Sequence, residues 1–337
     1  MIWLTWRQFR TPALVTLAAA AALAALTLYL GQQIRDTYDS TIANCAADAC
    51  QLATMRFRDK YLDPVNLLSV LLIAVPAVIG LFWGAPLITR ELETGTYRMV
   101  WNQSVTRGRW LAVKLGLLAL FAAAVVGVLS YLLSWAASPF DELASTRFAP
   151  LSFAARGITP IGYAVFTFVL GTVVGLLVRR TLPAMAITLV IFAAVQILMP
   201  NLVRQHLQTP VTKSVAFTAE SASTINGIGT SGGPEDTSAP VEIFGYSIPG
   251  AWILGPAGNK LLTSDGSAFT REGMEACHEG TMPKDIACMA KNNLHFNLTY
   301  QPGSRYWTFQ WIETAMFLAL ALALAGVGFW RITRYVN

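Results

Sequence analysis

The sequence predicts an all-α polytopic membrane protein, with six transmembrane helices and an extracellular domain between helices five and six. Three observations carry that expectation. Hydrophobic residues make up 54% of the 337-residue chain and charged residues 13%, about half the charged fraction of a soluble domain, and the mean hydropathy is +0.49. Six segments, near 12–30, 65–88, 111–136, 157–178, 182–200 and 308–330, each supply the ~20 apolar residues that cross a hydrocarbon core. Between the fifth and sixth lies a polar stretch of roughly 105 residues, longer than any ordinary connection. Helices follow because a lone span satisfies its backbone in lipid in no other way.

In chain order, residues 1–11 hold Trp3, Leu4, Trp6 and Phe9 among Thr5, Arg7, Gln8 and Arg10. That pattern reads as a short amphipathic helix at a membrane surface, with a plain cationic flank as the alternative. The first apolar run has a basic start like a signal peptide, but it runs too long and lacks a cleavage site, so a retained anchor is expected. Residues 12–200 form the first five spans, with a loop at 89–110 between the second and third. Pro76 can kink the second span, and Pro183 suits the first turn of the fifth. Pro139 and Phe140 open a short helix after the third span, and Arg179-Arg180-Thr181 joins the fourth and fifth in a tight hairpin. Gly80 with Gly84, and Gly171 with Gly175, are small-residue pairs that allow close backbone approach, within one protomer or at a dimer seam. Residues 201–306 form the extra domain and 307–337 the last span with its tail. In that domain, 219–240 is rich in Ser, Thr, Gly and Pro and is expected to be mobile. Residues 241–254 can bury apolar surface, and 269–294 reads as two short helices.

Charge sets the orientation. With the amino terminus inside, eleven cations (Arg7, Arg10, Arg90, Arg98, Arg107, Arg109, Lys114, Arg179, Arg180, Arg331 and Arg334) lie on the cytoplasmic side against Glu91 and Glu93. The outer loops hold thirteen cations offset by sixteen acids over about 160 residues. Both termini are therefore expected in the cytoplasm of a cell-membrane protein. The basic pI reflects this asymmetry, so no nucleic-acid partner is expected. Tyr306, Trp307 and Trp311 suit an interfacial belt at the outer start of the last span. All four cysteines, Cys45, Cys50, Cys277 and Cys288, then face an oxidising compartment. They are expected as disulfides, with two unpaired thiol pairs as the alternative; of three possible pairings, the local Cys45–Cys50 and Cys277–Cys288 are the simplest.

No catalytic set is visible. His206, His278 and His295 are widely spaced, so no metal site is expected. There is no G-x-S-x-G nucleophile turn, and Gly255 to Lys260 lacks phosphate-loop spacing. Glu313 and Lys114 sit near span ends and are expected to reach the interface by snorkelling, leaving no carboxylate for a proton relay. Any energy for transport would come from elsewhere.

The 89–110 loop is the informative element. Arg90-Glu91-Leu92-Glu93 extends the second helix, and Thr94-Gly95-Thr96 permits a sharp break. Tyr97, Arg98, Met99, Val100, Trp101 and Asn102 can form a short amphipathic helix, and Thr106 can N-cap the third span. These residues resemble the first intracellular loop of type-2 permeases of ATP-binding-cassette exporters. That family pairs two acids with Gly-Thr, a short coupling helix and a Ser-Val-Thr-Arg segment; here these are Glu91, Glu93, Gly95, Thr96, then Ser104, Val105, Thr106, Arg107 and Lys114. The W-N-Q-S-V-T-R run, the N-terminal W-R-Q and the segment 301–310 are similar to actinobacterial members. The long cysteine-bearing loop at 201–306 departs from the better-known members.

The resemblance implies a half-permease that dimerises with a second permease copy in the lipid membrane and exports its cargo. It implies two copies of a separate ATP-binding-cassette ATPase, holding ATP and Mg, docked through residues 91–107. The coupling residues would be Glu91, Glu93, Gly95, Thr96, Tyr97, Arg98, Met99, Val100, Trp101 and Arg107. The competing reading is a membrane sensor with an external ligand-binding domain, which predicts no ATPase partner. A lipid-modifying membrane enzyme is disfavoured by the missing reactive cluster.

Overall fold

The computed structural model describes residues 2–43, 45, 47–94, 106–143, 147–233, 235–255, 258–278 and 280–334. Among them, six helices are long and apolar enough to cross a membrane: Ala13–Thr41, Cys50–Glu93, Arg107–Ala136, Thr159–Val178, Thr181–His206 and Gly303–Arg334, here spans 1 to 6. All six predicted segments are found, several with long extensions. Span 1 belongs to one unbroken helix from Ile2 to Thr41. The chain divides into two compact units, Met1–Leu207 with Trp307–Asn337, and Gln208–Tyr306.

In the helical unit, span 4 is the central element: 72% of its most apolar window is buried, against 11% for span 1. Glycine makes this possible. A Cβ on Gly171 would collide with the carbonyl oxygen of Gly80, and one on Gly175 would lie 2.7 Å from that of Ala85. The two small-residue pairs therefore meet each other within one protomer, letting spans 2 and 4 touch backbone to backbone. At the same place span 2 changes winding. The α-helix Ala47–Ile79 passes through a π-helical turn, Gly80–Gly84, before the helix Ala85–Glu93. Pro86 stands just beyond and has no N–H to give to the preceding turn, which favours such a local rearrangement. Outward-facing Leu182, Leu322, Tyr131 and Leu120 are exposed, as lipid-facing positions must be.

Past the spans, the ends of spans 1 and 2 pack an aromatic cluster, with Ile34, Phe57, Tyr61 and Val65 around Phe140. Phe140 lies on the expected short helix, Ser138–Leu143. Arg35 stacks on Trp135 at 4.6 Å and donates to Trp135 O and Ser138 Oγ. Cys45 is bonded to Cys50 beside this hairpin.

The second unit corrects the all-α expectation. It holds a six-stranded antiparallel sheet in the order β1-β6-β5-β3-β2, with β4 also paired to β6. The strands are Val211–Ala216, Gly227–Thr230, Val241–Phe244, Trp252–Leu254, Gly258–Leu262 and His295–Gln301, β1 to β6. Alternation explains them: Val241 and Ile243 of β3, and Phe296 and Leu298 of β6, are fully buried while their neighbours are not. Each alternating run is short, which makes it weak as a sequence signal. The stretch expected to be mobile contains a helix, Ala219–Ser223, with a Thr218–Ser221 capping box, and strand β2. Local capping organises the start of this polar stretch, and Ala222, Ile225 and Ile228 anchor it to the sheet unit's core. The two short helices predicted at 269–294 are present, Arg271–Ala276 and Met282–Ala290, joined by Cys277–Cys288.

Candidate functional site

Two charged clusters occupy opposite ends of the helical unit. The first surrounds the base of the 89–110 loop. Thr89 is buried and donates back to Ala85 O, a common way for a hydroxyl to be satisfied inside a helix. Its hydroxyl also lies 2.9 Å from that of Thr181 at the start of span 5. One turn on, Glu93 accepts from Thr181 N at 2.8 Å and from Thr181 Oγ1 at 2.9 Å. Thr181 N is among the unpaired amides at the start of span 5, so a carboxylate from another helix supplies the cap and meets the positive end of the helix dipole. The tight turn before it places Arg179 in the left-handed region, φ 58°.

Glu91 points the other way, to span 3. Lys114 Nζ donates to Glu91 Oε1 at 2.5 Å and sits 4.4 Å from the Trp110 ring centroid. Both side chains are largely buried, at 5% and 13% exposure. Glu91 Oε2 has no hydrogen-bond partner among the described residues. Span 3 begins as expected: Thr106 is its N-cap and accepts from Arg109 N at 3.4 Å. Arg107 opens this helix, half-buried. Gly95, Thr96, Tyr97, Arg98, Met99, Val100 and Trp101, as well as Ser104 and Val105, lie outside the described residues.

The second cluster corrects the snorkelling expectation. Lys114 is buried against Glu91, and Glu313 is fully buried. Glu313 accepts from Arg204 in a forked contact, Nε to Oε2 at 2.9 Å and Nη2 to Oε1 at 3.1 Å. Tyr163 of span 4 also donates its hydroxyl to Glu313 Oε1. The Arg204 guanidinium lies 4.0 Å over the Phe153 ring. Arg204 comes from the last turn of span 5, after a second π turn at Met199–Val203. The carboxylate stays inside because a partner on each adjacent helix meets it there, at less cost than an unpaired charge. Three residues earlier, Gln310 accepts from Ile158 N, Thr159 N and Thr159 Oγ1, and donates to Phe153 O and Arg156 O.

Sequence reasoning placed Arg204 in a polar loop and so missed it. The available signal was a lone arginine at the end of one span and a lone glutamate near the start of the next. A separate, smaller pair lies between spans 3 and 4: Arg156 donates to Asp141 at 3.2 Å, and Arg147 approaches it at 3.0 Å. Burial pushes the Asp141 carboxyl above the usual range, although both arginines pull it down.

Trp307 and Trp311 are exposed at the start of span 6, as a belt requires, while Tyr306 is buried. His206 bonds Leu202 O, His278 meets Asp285 at 3.1 Å, and His295 lies on β6. No group of His, Cys, Asp and Glu among the described residues is arranged to hold a metal ion.

Six helices among the described residues, each long and apolar enough to cross a membrane, define a multi-pass membrane protein. The chain belongs to the ABC-2 membrane transporter related family, whose model matches residues 17–204, more than half its length. That match covers nearly all of spans 1 to 5 and confirms the resemblance to an ABC-2 type permease. No curated protein and no solved structure matches the chain.

Proposed function

We propose that the chain is the membrane-spanning subunit of an ATP-driven exporter, dimerising with a second permease copy and worked by two copies of a separate ATPase subunit. Family membership supports a transporter permease and, in general, an ATP-binding-cassette partner. The observation that carries the coupling reading is the pair of acids at the base of the 89–110 loop. Glu91 ties that base to span 3 through Lys114, and Glu93 ties it to span 5 through Thr181. Force applied to residues 95–105 would enter three spans together, which a lever needs and a passive loop does not. ATP and Mg are held by the partner, and this chain supplies no catalytic group. The charge asymmetry supports both termini and the 91–107 loop facing the cytoplasm of the cell membrane, with the 208–306 unit and both disulfides outside.

The test is cargo-stimulated ATPase activity of the complex purified in lipid. Glu91→Ala and Gly95→Val are expected to lower stimulation about tenfold, on the order of 1.4 kcal/mol of coupling, with membrane insertion unchanged. Unchanged stimulation in both variants, or purification with no nucleotide-hydrolysing partner, rejects the reading.

A further inference from the structure

We propose that Arg204, Glu313 and Tyr163 form a releasable latch, in which the end of span 5 is the moving part and spans 4 and 6 are the fixed catch. The inference adds a moving element to the exporter reading, and depends on that reading only for what drives the release.

Three observations carry it. First, the ion pair is fully buried, with side-chain exposures of 1% for Arg204 and 0% for Glu313. Desolvating such charges is costly, and a well-packed apolar pair is often as stable, so stability alone does not account for charge here. A charged contact differs from an apolar one in that water can take it over when the helices part. Second, the two halves of the site are unequally satisfied. On the catch side, Gln310 uses both its oxygen and its nitrogen to join span 6 to residues 153–159, and Tyr163 joins span 4 to Glu313. On the moving side, Arg204 Nη1 is buried with no partner among the described residues. Closure leaves that donor unpaired among the described residues, and water would satisfy it on opening, which offsets part of the cost of parting the pair. Third, Arg204 is carried by the least regular part of span 5. The π turn Met199–Val203, containing Pro200, runs directly into a single 3-10 turn, Arg204–His206. Such interruptions mark hinges because their hydrogen bonds rearrange at small cost.

The latch is tested by a spin-label distance on the full chain in lipid nanodiscs, with labelled chain diluted into unlabelled. All four native cysteines are disulfide-bonded, so only introduced thiols react. Labels go at Leu202→Cys and Trp311→Cys, both exposed sites on spans 5 and 6. A control pair uses Tyr131→Cys, exposed on span 3, with Trp311→Cys. The otherwise native chain should give one short 202–311 distance. Arg204→Met and Glu313→Gln should each add a population longer by about 5 Å, one helical turn, with the 131–311 distance unchanged. Tyr163→Phe should add a smaller share of it. An unchanged 202–311 distance in both Arg204→Met and Glu313→Gln overturns the latch. Broadening of both distances together also overturns it, since the pair would then be a plain packing element. With the partner ATPase and ATP added, the native chain should populate the long distance. If the substitutions lengthen it and ATP does not, the latch stands and the ATP-driven reading is the one that fails.

Discussion

Two of the buried ion pairs, Lys114–Glu91 and Arg204–Glu313, stand at opposite ends of the same bundle and are built differently. Lys114 meets Glu91 through a single nitrogen, with Glu91 still partly exposed and one of its oxygens without a partner among the described residues. Arg204 grips Glu313 through two nitrogens, with Tyr163 as a third partner and exposures of only 1% and 0%, while Arg204 Nη1 has no partner among the described residues. An ammonium is a point charge on a flexible stem and tolerates small displacements of its acceptor, whereas a guanidinium fork fixes both distance and angle. The difference teaches that, on the proposed exporter reading, one end of the bundle suits the transmission of gradual movement. The other holds or lets go.

Removing one partner from each pair should expose that contrast. The largest effect is expected for Glu313→Ala, which strands a fully buried guanidinium. It should cost about 3–5 kcal/mol, read as a lower midpoint of thermal unfolding for the purified protein. The paired change Arg204→Met with Glu313→Leu should recover most of that loss. Lys114→Met should cost less, on the order of 1–2 kcal/mol, because the remaining Glu91 can turn toward solvent. If Lys114→Met proves as damaging as Glu313→Ala, the two pairs are equivalent and the contrast is void.

Glu93→Gln comes next. It removes the charge that caps span 5 while keeping an acceptor, and should cost about 0.5–1 kcal/mol, with a larger proportional loss of coupling than of unfolding midpoint. The smallest effect concerns an exposed carboxylate in the sheet unit, as a reference for both buried pairs. Asp265 accepts from Thr263 Oγ1 and from Ser267 N and Oγ, and these bonds hold its pKa at about 2. A lowered folded-state pKa stabilises above the unfolded value of 3.8 and is lost as pH falls toward 2. Asp265→Asn should therefore flatten the acid limb of the unfolding curve between those values, with a small loss of stability present at neutral pH that disappears toward pH 2. A parallel curve for the variant would show that the turn contributes nothing to folding.

Much of this architecture is legible in the order of the residues. The six spans, the Thr106 cap and the paired short helices at 269–294 follow from length, apolarity and local chemistry, which are properties of neighbouring residues. The glycine pairs are visible too, although only the fold shows that Gly80 and Gly171 meet each other. The sheet escapes such a reading because its runs are short and depend on cross-strand partners far away in the chain, such as Val211 with Tyr300.

The sequence by itself determined a membrane bundle, its charge asymmetry and the loop by which it resembles ABC-2 permeases, because hydropathy and local motifs are written residue by residue. Only the tertiary structure decided that Glu313 is a buried partner and not a surface charge. Arg204 lies 109 positions away in the chain, and nothing short of the packing of three helices brings them together.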